Sequence, residues 1–206
     1  MPQRLTVRGN KRRTQIIDYA ARKFAADGYH ETSVADIVNG LGVGKGVFYW
    51  YFESKDALLK EILVDAQRDL RRKQRQAIAD EPDPLRRISA AIRTSFVWLS
   101  SNVHLFLLLE QAKTDERFYN LVRHGEEMAV ADALPHVKAG MDAGMIRRDD
   151  PLVIAHAILG VTTSLARLLI VDNKEDPLLA ADRAIAFCMS GVSFNGKAKE
   201  RPAGIL

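Results

Sequence analysis

Apolar residues recur every three to four positions along most of this chain, and that spacing predicts helices almost throughout. Ile16, Ile17, Ala20, Ala21, Phe24 and Ala25 form one stripe of a first helix, from about Lys11 to Ala26, which Gly28 ends. Val34, Ile37, Val38 and Leu41 mark a second, short helix, and Ser33, three residues ahead of Asp36, fits a capping box at its start. Gly40 and Gly42 flank Leu41 and allow a sharp reversal, since glycine accepts positive φ without a steric cost. A third helix, also short, runs from about Gly44 to Phe52. A long fourth helix starts near Ser54, its candidate cap, with Leu58, Leu59, Ile62, Leu63 and Ala66 on its first face. Beyond Ala66 it turns Arg- and Gln-rich, a solvated spacer, until Pro82 and Pro84 stop it.

Five more helices follow. One spans about Pro84 to Ser100, with Leu85, Ile88, Ile92, Phe96 and Leu99 on its stripe. The next, about Val103 to Lys113, is apolar nearly all round, which predicts burial on most sides. A longer one covers about Glu116 to Gly140, with a distortion expected near Pro135, and residues 144–151 make a charged loop. The last two run from about Asp150 to Val171 and from about Pro177 to Phe194, ahead of a poorly ordered tail. The apolar run Val153–Val171 approaches membrane-spanning length, but His156, Arg167 and its Thr and Ser residues favour a buried helix. Alternation of the strand type is absent, so the expected fold is all-α.

The second and third helices, joined by a tight turn, have the layout of a helix-turn-helix, whose second helix enters the major groove by its N-terminal end. Charge agrees with this. The net charge of the 206 residues is +4. Residues 1–55 hold nine Lys/Arg against five Asp/Glu, and the remainder is neutral, so the whole excess sits with the helix-turn-helix. Cations placed there release counterions from phosphate and supply non-specific affinity. Arg4, Arg8, Lys11, Arg12 and Arg13 form a basic arm just ahead of it; a soluble basic tail is the plainer alternative. The single cysteine, Cys188, has no intrachain partner, and residues 1–13 carry no signal-peptide pattern, so a reducing cytoplasm is the expected location.

Residues Gly28-Tyr29, Thr32-Ser33-Val34, Asp36-Ile37, Gly42-Val43-Gly44-Lys45-Gly46, Phe48-Tyr49-Trp50-Tyr51-Phe52 and Ser54-Lys55-Asp56-Ala57-Leu58 carry a closer resemblance. Over Thr14–Leu63 the chain resembles the TetR family of bacterial transcriptional repressors. It departs from that pattern at Gly44, usually Ser or Thr, and at Val47, usually a smaller residue. The resemblance implies an N-terminal three-helix head, residues 1–55, that binds operator DNA, and a larger helical domain, 56–206, that binds an effector and dimerises. It implies DNA-facing roles for Ser33, Val34, Gly44, Lys45, Gly46, Tyr49, Tyr51 and Lys55, with Lys55 on phosphate and Lys45 at the base edges. Trp50, large for an exposed site, is expected to pack inside the head.

One recognition helix reads too few base pairs for useful specificity, so two chains are expected to pair. The last two helices are the candidate surface. The eighth is apolar on too many faces for one neighbour, with Ala157, Gly160 and Ser164 allowing close approach. The ninth shows a stripe of Ala181, Ile185, Cys188 and Val192. For the effector, the resemblance implies a small molecule bound in the larger domain. Trp98, His104, Phe106, Glu110 and His124 are the candidate lining, although each also has an ordinary packing or surface role, and Glu110 could pair with Lys113 or Arg93.

Catalysis finds no support in the sequence. GVGKG lacks the spacing of a nucleotide-binding loop, no nucleophile elbow occurs, and Cys188 lies in an apolar helix. The five His and one Cys show no metal-ligand spacing, and no cofactor is expected. The reading is a homodimeric, non-enzymatic repressor released from its operator by a small molecule. The alternatives are a DNA-binding protein regulated by a protein partner or by nothing, and, further off, an enzyme fused to a DNA-binding head.

Overall fold

The computed structural model describes residues 6–193. Arg4, the tail and Phe194, the expected last residue of the ninth helix, lie outside the described residues. Among the described residues the fold is all-α. Its helices are α1 (Val7–Asp27), α2 (Val34–Gly40), α3 (Lys45–Tyr51), α4 (Lys55–Ile78), α5 (Pro84–Ser101), α6 (Val103–Ala112), α7 (Glu116–Asp142), α8 (Pro151–Ala166) and α9 (Pro177–Val192). A π-helical turn, Arg167–Asp172, prolongs α8.

Local chemistry explains where these helices begin. Three of them, α5, α8 and α9, start at an Asp-Pro pair. Proline takes the first helical position, where a missing N–H costs nothing, and the aspartate ahead of it accepts from free backbone N–H groups. Asp83 accepts from Leu85 at 2.8 Å, Asp150 from Leu152 at 2.8 Å, and Asp176 from Leu178 at 2.9 Å. Ser54 caps α4 by accepting from the Ala57 N–H at 3.0 Å. The first helix begins at Val7 rather than near Lys11, because Thr6 caps it by accepting from Gly9. Arg8, Lys11, Arg12 and Arg13 therefore ride on a helix and not on a loose arm. Helix α7 runs through Pro135 as one helix.

The helices group into two compact units. The first takes the chain up to Lys73 together with Trp98–Glu127. It is larger than the 1–55 head because the apolar side of α4 and parts of α6 and α7 share its core. Ile16, Phe24, Ile37, Phe48, Leu58, Ile62 and Leu63 are buried there with Leu108, Phe118 and Val122. Fully burying one such side chain is worth about 1.5–3 kcal/mol. Helix α6, expected to be covered on most sides, buries only Phe106, Leu108 and Ala112; its other apolar positions are half-exposed.

The second unit takes Gln74–Val97 and the chain from Met128 onward. Ile88, Ile92, Phe96, Val130 and Val137 are buried, as are Ile154, Ile158 and Leu169 and, on α9, Ala181, Cys188 and Val192. The stripe expected to pair between subunits thus has these three residues facing their own core. The outward face of α9 is instead Leu178, Leu179, Arg183, Ala186 and Phe187, with Phe187 63% exposed. On α8, Val153, Ala157, Gly160 and Ser164 are exposed along one stripe, which Leu168 of the π-helical turn continues.

In the turn between α2 and α3, Gly42 has φ 64°, a region that costs other residues about 1–2 kcal/mol. Gly42→Ala should lower unfolding stability by about 1 kcal/mol, and Gly42→Asn by less, since a Cβ there meets no atom within 4 Å and only the backbone term operates. Urea denaturation of the three proteins checks the order; equal midpoints would refute it.

Candidate nucleic-acid interface

Ser33 opens α2 with the expected reciprocal box. Its hydroxyl accepts from the Asp36 N–H at 3.2 Å, and its own N–H donates to the Asp36 carboxylate at 2.8 Å. These bonds hold the Asp36 carboxyl below its usual range. The chain then reverses through Leu41 and Gly42, with the Val43 N–H donating back to Val38 at 2.9 Å. Helix α3 begins at Gly44, which brings no capping side chain.

The two faces of α3 are sharply different. Phe48 is fully buried, Phe52 follows it inward at 4% exposure, and Val47 and Tyr51 are half-buried against the same core. Facing out are Gly44, Lys45, Gly46, Tyr49 and Trp50. Trp50 is 65% exposed, against the expectation that it packs inside the head. A large aromatic between two aromatic neighbours reads as core until the helical register shows that positions 48 and 52 already fill it. Of the remaining candidates, Ser33 is exposed but engaged in the cap, and Val34 is half-buried against the core. Arg8 and Lys11 are exposed on α1, whereas Arg13 is paired with Glu61 and lies over the Phe52 ring.

Lys55 has another environment from the phosphate contact implied for it. Its Nζ donates to the carbonyls of Tyr29 and Thr32, both at 2.8 Å, and sits 4.3 Å from the centre of the Tyr29 ring. Burial pulls its pKa below the ordinary lysine value. Around it lies a cluster that pattern reading missed. The buried Tyr29 hydroxyl donates to Asp56, and its ring meets Phe24 and Phe118 edge-on. Burial, then Asp56, raises the Tyr29 pKa. Arg117 pairs with Asp115 at 2.7 Å and with Asp56 at 3.2 Å. The guanidinium beside Asp115 holds that carboxyl down at about 2. The partners come from the α1–α2 turn, α4 and the start of α7, and only the Gly28-Tyr29 and Lys55-Asp56 pairs offered a signal in sequence.

A cleft of about 820 Å³ opens beside this cluster, with Leu59, Leu108, Ala112 and Phe118 as its apolar wall and His30, Glu31, Gln111, Asp115 and Arg117 among its polar groups. None of the five effector candidates lines it. Trp98 is buried, its indole N–H donating to Asp69 at 2.8 Å. Phe106 is buried, and Glu110 pairs with Lys113 at 2.6 Å. His124 is exposed, 3.8 Å from Glu127. His104 is half-buried, its pKa lowered by burial and then by Arg22. Among the described residues no three His, Cys, Asp or Glu side chains are grouped to hold a metal ion.

A short helix that exposes Lys45, Tyr49 and Trp50 on a helix-turn-helix has the form of a DNA-binding protein. Comparison with known proteins specifies the class. The model of the family "Bacterial regulatory proteins, tetR family" matches residues 16–62. The HTH-type transcriptional repressor KstR2 of Rhodococcus jostii is 30% identical over 159 residues, 75% of this chain and 78% of that protein. The solved structure of the ketosteroid transcriptional regulator KstR2 of Mycobacterium tuberculosis superposes with a TM-score of 0.74 at 21% identity, covering 90% of this chain and 96% of that one. Bacillus subtilis FadR in complex with stearoyl-CoA superposes at 0.78 and 19% identity, covering 86% and 98%. The chain belongs to the tetR family of helix-turn-helix transcriptional regulators.

Two expectations follow. Lys55→Met leaves the Tyr29 and Thr32 carbonyls without their donor and should cost about 1–3 kcal/mol of stability. With the ammonium held by those carbonyls, the salt dependence of DNA binding should change by well under one unit of slope. Anisotropy titrations across a salt series, beside chemical denaturation, test both; a full unit lost with stability intact would return Lys55 to the phosphate backbone. His104 has a folded pKa below its unfolded 6.5, so the unfolded chain binds the extra proton. Its contribution is present above about pH 6.5 and is lost on acidification. Melting temperature should fall between about pH 7.5 and 5.5, and His104→Gln should flatten that fall. A variant with an unchanged pH profile would contradict the assignment.

Proposed function

We propose that the protein is a homodimeric transcriptional repressor whose operator affinity drops when a small molecule binds outside the DNA-reading head. Residues 1–55 would hold the DNA-reading helices and residues 56–206 the effector and pairing functions. The observation that carries the reading is the outward face of α3, which gathers Lys45, Gly46, Tyr49 and Trp50 on the part of the chain holding all the excess positive charge. Ser33, Val34, Gly44 and Tyr51 would add backbone contacts at its edges. The repressor sense draws support from KstR2 of Rhodococcus jostii, while FasR of Mycolicibacterium smegmatis, 24% identical over 204 residues, is an activator.

Pairing draws support from the second unit. Residues 151–172 are apolar enough to cross a membrane by length and composition, with a mean hydropathy of 1.8 in their most apolar window. The same segment nevertheless also exposes His156, Ser164 and Arg167, which suit a protein interface in water better than hydrocarbon. Two copies joined through α8 and α9 would bury this face in a four-helix contact. Paired heads about 34–36 Å apart enter successive major grooves. Bound effector would change head spacing through α4, the helix that begins at Lys55 directly after the DNA-reading helices. A cytoplasmic site of action follows from the DNA partner.

Selection from randomised duplexes, then anisotropy with and without ligand, tests the whole reading. A thermal-shift screen supplies the ligands, with stearoyl-CoA, the molecule bound to Bacillus subtilis FadR, as the first probe. A ligand that raises the melting temperature and weakens operator binding is expected; stable operator binding indifferent to every stabilising ligand would favour a regulator without an effector. Gly160 faces outward with open space at its Cβ position, so Gly160→Leu leaves the subunit core untouched. Overpacking the paired face should cost about 1–3 kcal/mol at each copy, shifting the protein to monomer in sedimentation velocity. A variant that stays dimeric with full operator affinity would move the interface elsewhere.

A further inference from the structure

We infer that Gly46 and Trp50 together form a notch that reads the methyl group of one thymine in the major groove; this rests on the DNA-binding reading above. Glycine in a helix costs about 0.5–1 kcal/mol relative to alanine, so a helical glycine calls for a reason. At two other helical glycines of the first unit the reason is internal: a Cβ at Gly40 would strike the Tyr19 side chain, and one at Gly125 the Gln67 side chain. Gly46 has neither reason. Its φ is not positive, and a Cβ there would meet nothing within 4 Å. The space it leaves free is outside the chain.

Trp50 stands one turn later on the same face, and helical side chains lean toward the N-terminus, so the indole borders the open space at position 46 while staying beyond 4 Å of a Cβ built there. With 65% of its surface exposed, Trp50 contributes little to this chain's core. The open space at position 46 thus has backbone below it and an exposed apolar ring one turn further on. Lys45 and Tyr49, also exposed and also four residues apart, stand beside it as polar neighbours. The first turn of a recognition helix is the part that reaches base edges. The apolar substituent that the major groove offers there is the thymine C5-methyl. Alanine at 46 would fill the notch with its own methyl, and alanine at 50 would remove the ring.

The test uses full-length protein and the operator recovered by selection from randomised duplexes. Each thymine is replaced in turn by deoxyuridine, which removes only the methyl, and dissociation constants are measured by anisotropy for the wild type, Gly46→Ala and Trp50→Ala. In the wild type one thymine per half-site should be sensitive, its replacement weakening binding roughly three- to fivefold, the worth of one buried methyl. In both variants that penalty should vanish. Gly46→Ala should at the same time melt no lower than the wild type, since alanine is the better helix former, so a folding defect cannot produce the result. The inference is overturned if no thymine is sensitive, or if the uracil penalty persists in either variant. It is also overturned if Trp50→Ala weakens every duplex alike with the penalty intact, which would put the indole on the sugar-phosphate backbone. Failure to enrich any duplex would overturn the DNA-binding reading itself.

Discussion

A seven-residue helix does not persist in water by itself, because nucleation costs more than so few hydrogen bonds return. Both α2 and α3 are of that length. Everything that the DNA-reading surface can do depends on what holds them. The holding is done by Ile37 and Val38 on α2 and by Phe48 and Phe52 at α3, all driven into one core with Ile16, Phe24 and Leu58. Four of the nine residues from Gly44 to Phe52, namely Val47, Phe48, Tyr51 and Phe52, serve that anchoring, and the other five are left free. The chemistry of the interface is therefore what remains after the anchoring is satisfied, and the helical period decides which residues remain.

Anchoring is also continuous with the rest of the first unit. Lys55 ties the start of α4 to the turn after α1 through two backbone carbonyls, and Tyr29 and Arg117 bring in Asp56 and the start of α7. A half-buried lysine satisfied by carbonyls, an aromatic ring between two cations and a carboxylate shared by a tyrosine and an arginine are worth more together than apart, because each sets the geometry of the next. No pairwise motif announces such a cluster. Its members are scattered from position 29 to position 117, and Arg117 reads in sequence as one more surface charge.

That contrast explains what was legible. Features whose cause is local were readable: the Ser33–Asp36 box, Ser54 as a cap, the helix starts at Pro84 and Pro177, and the helix-turn-helix with its charge. Features whose cause is a neighbour were not. Periodicity tells which residues of α9 share a face, but Ala181, Cys188 and Val192 face their own core, and only the packed chain reveals it. Residue size misled in the same way at Trp50, where bulk suggested burial although Phe48 and Phe52 had already taken the inward positions. Trp98 and Phe106 were candidates for a pocket lining, and both are buried. Arg13 counted toward a basic arm, yet its charge is spent on Glu61.

What is left over after packing carries the argument to function. A chain under selection for its own stability alone has no use for a bare glycine and an uncovered indole on a seven-residue helix, or for Leu179 and Phe187 turned outward on α9. Both surfaces leave apolar area in water and weaken the isolated chain. Neither defect is repaired by anything within the described residues. Under the proposed function they would be halves of contacts, the first with a groove that is polar except for its methyl groups, the second with an apolar surface of its own kind. The two requirements are linked, because a short helix that reads only a few base pairs gains useful specificity once a second copy is held beside it.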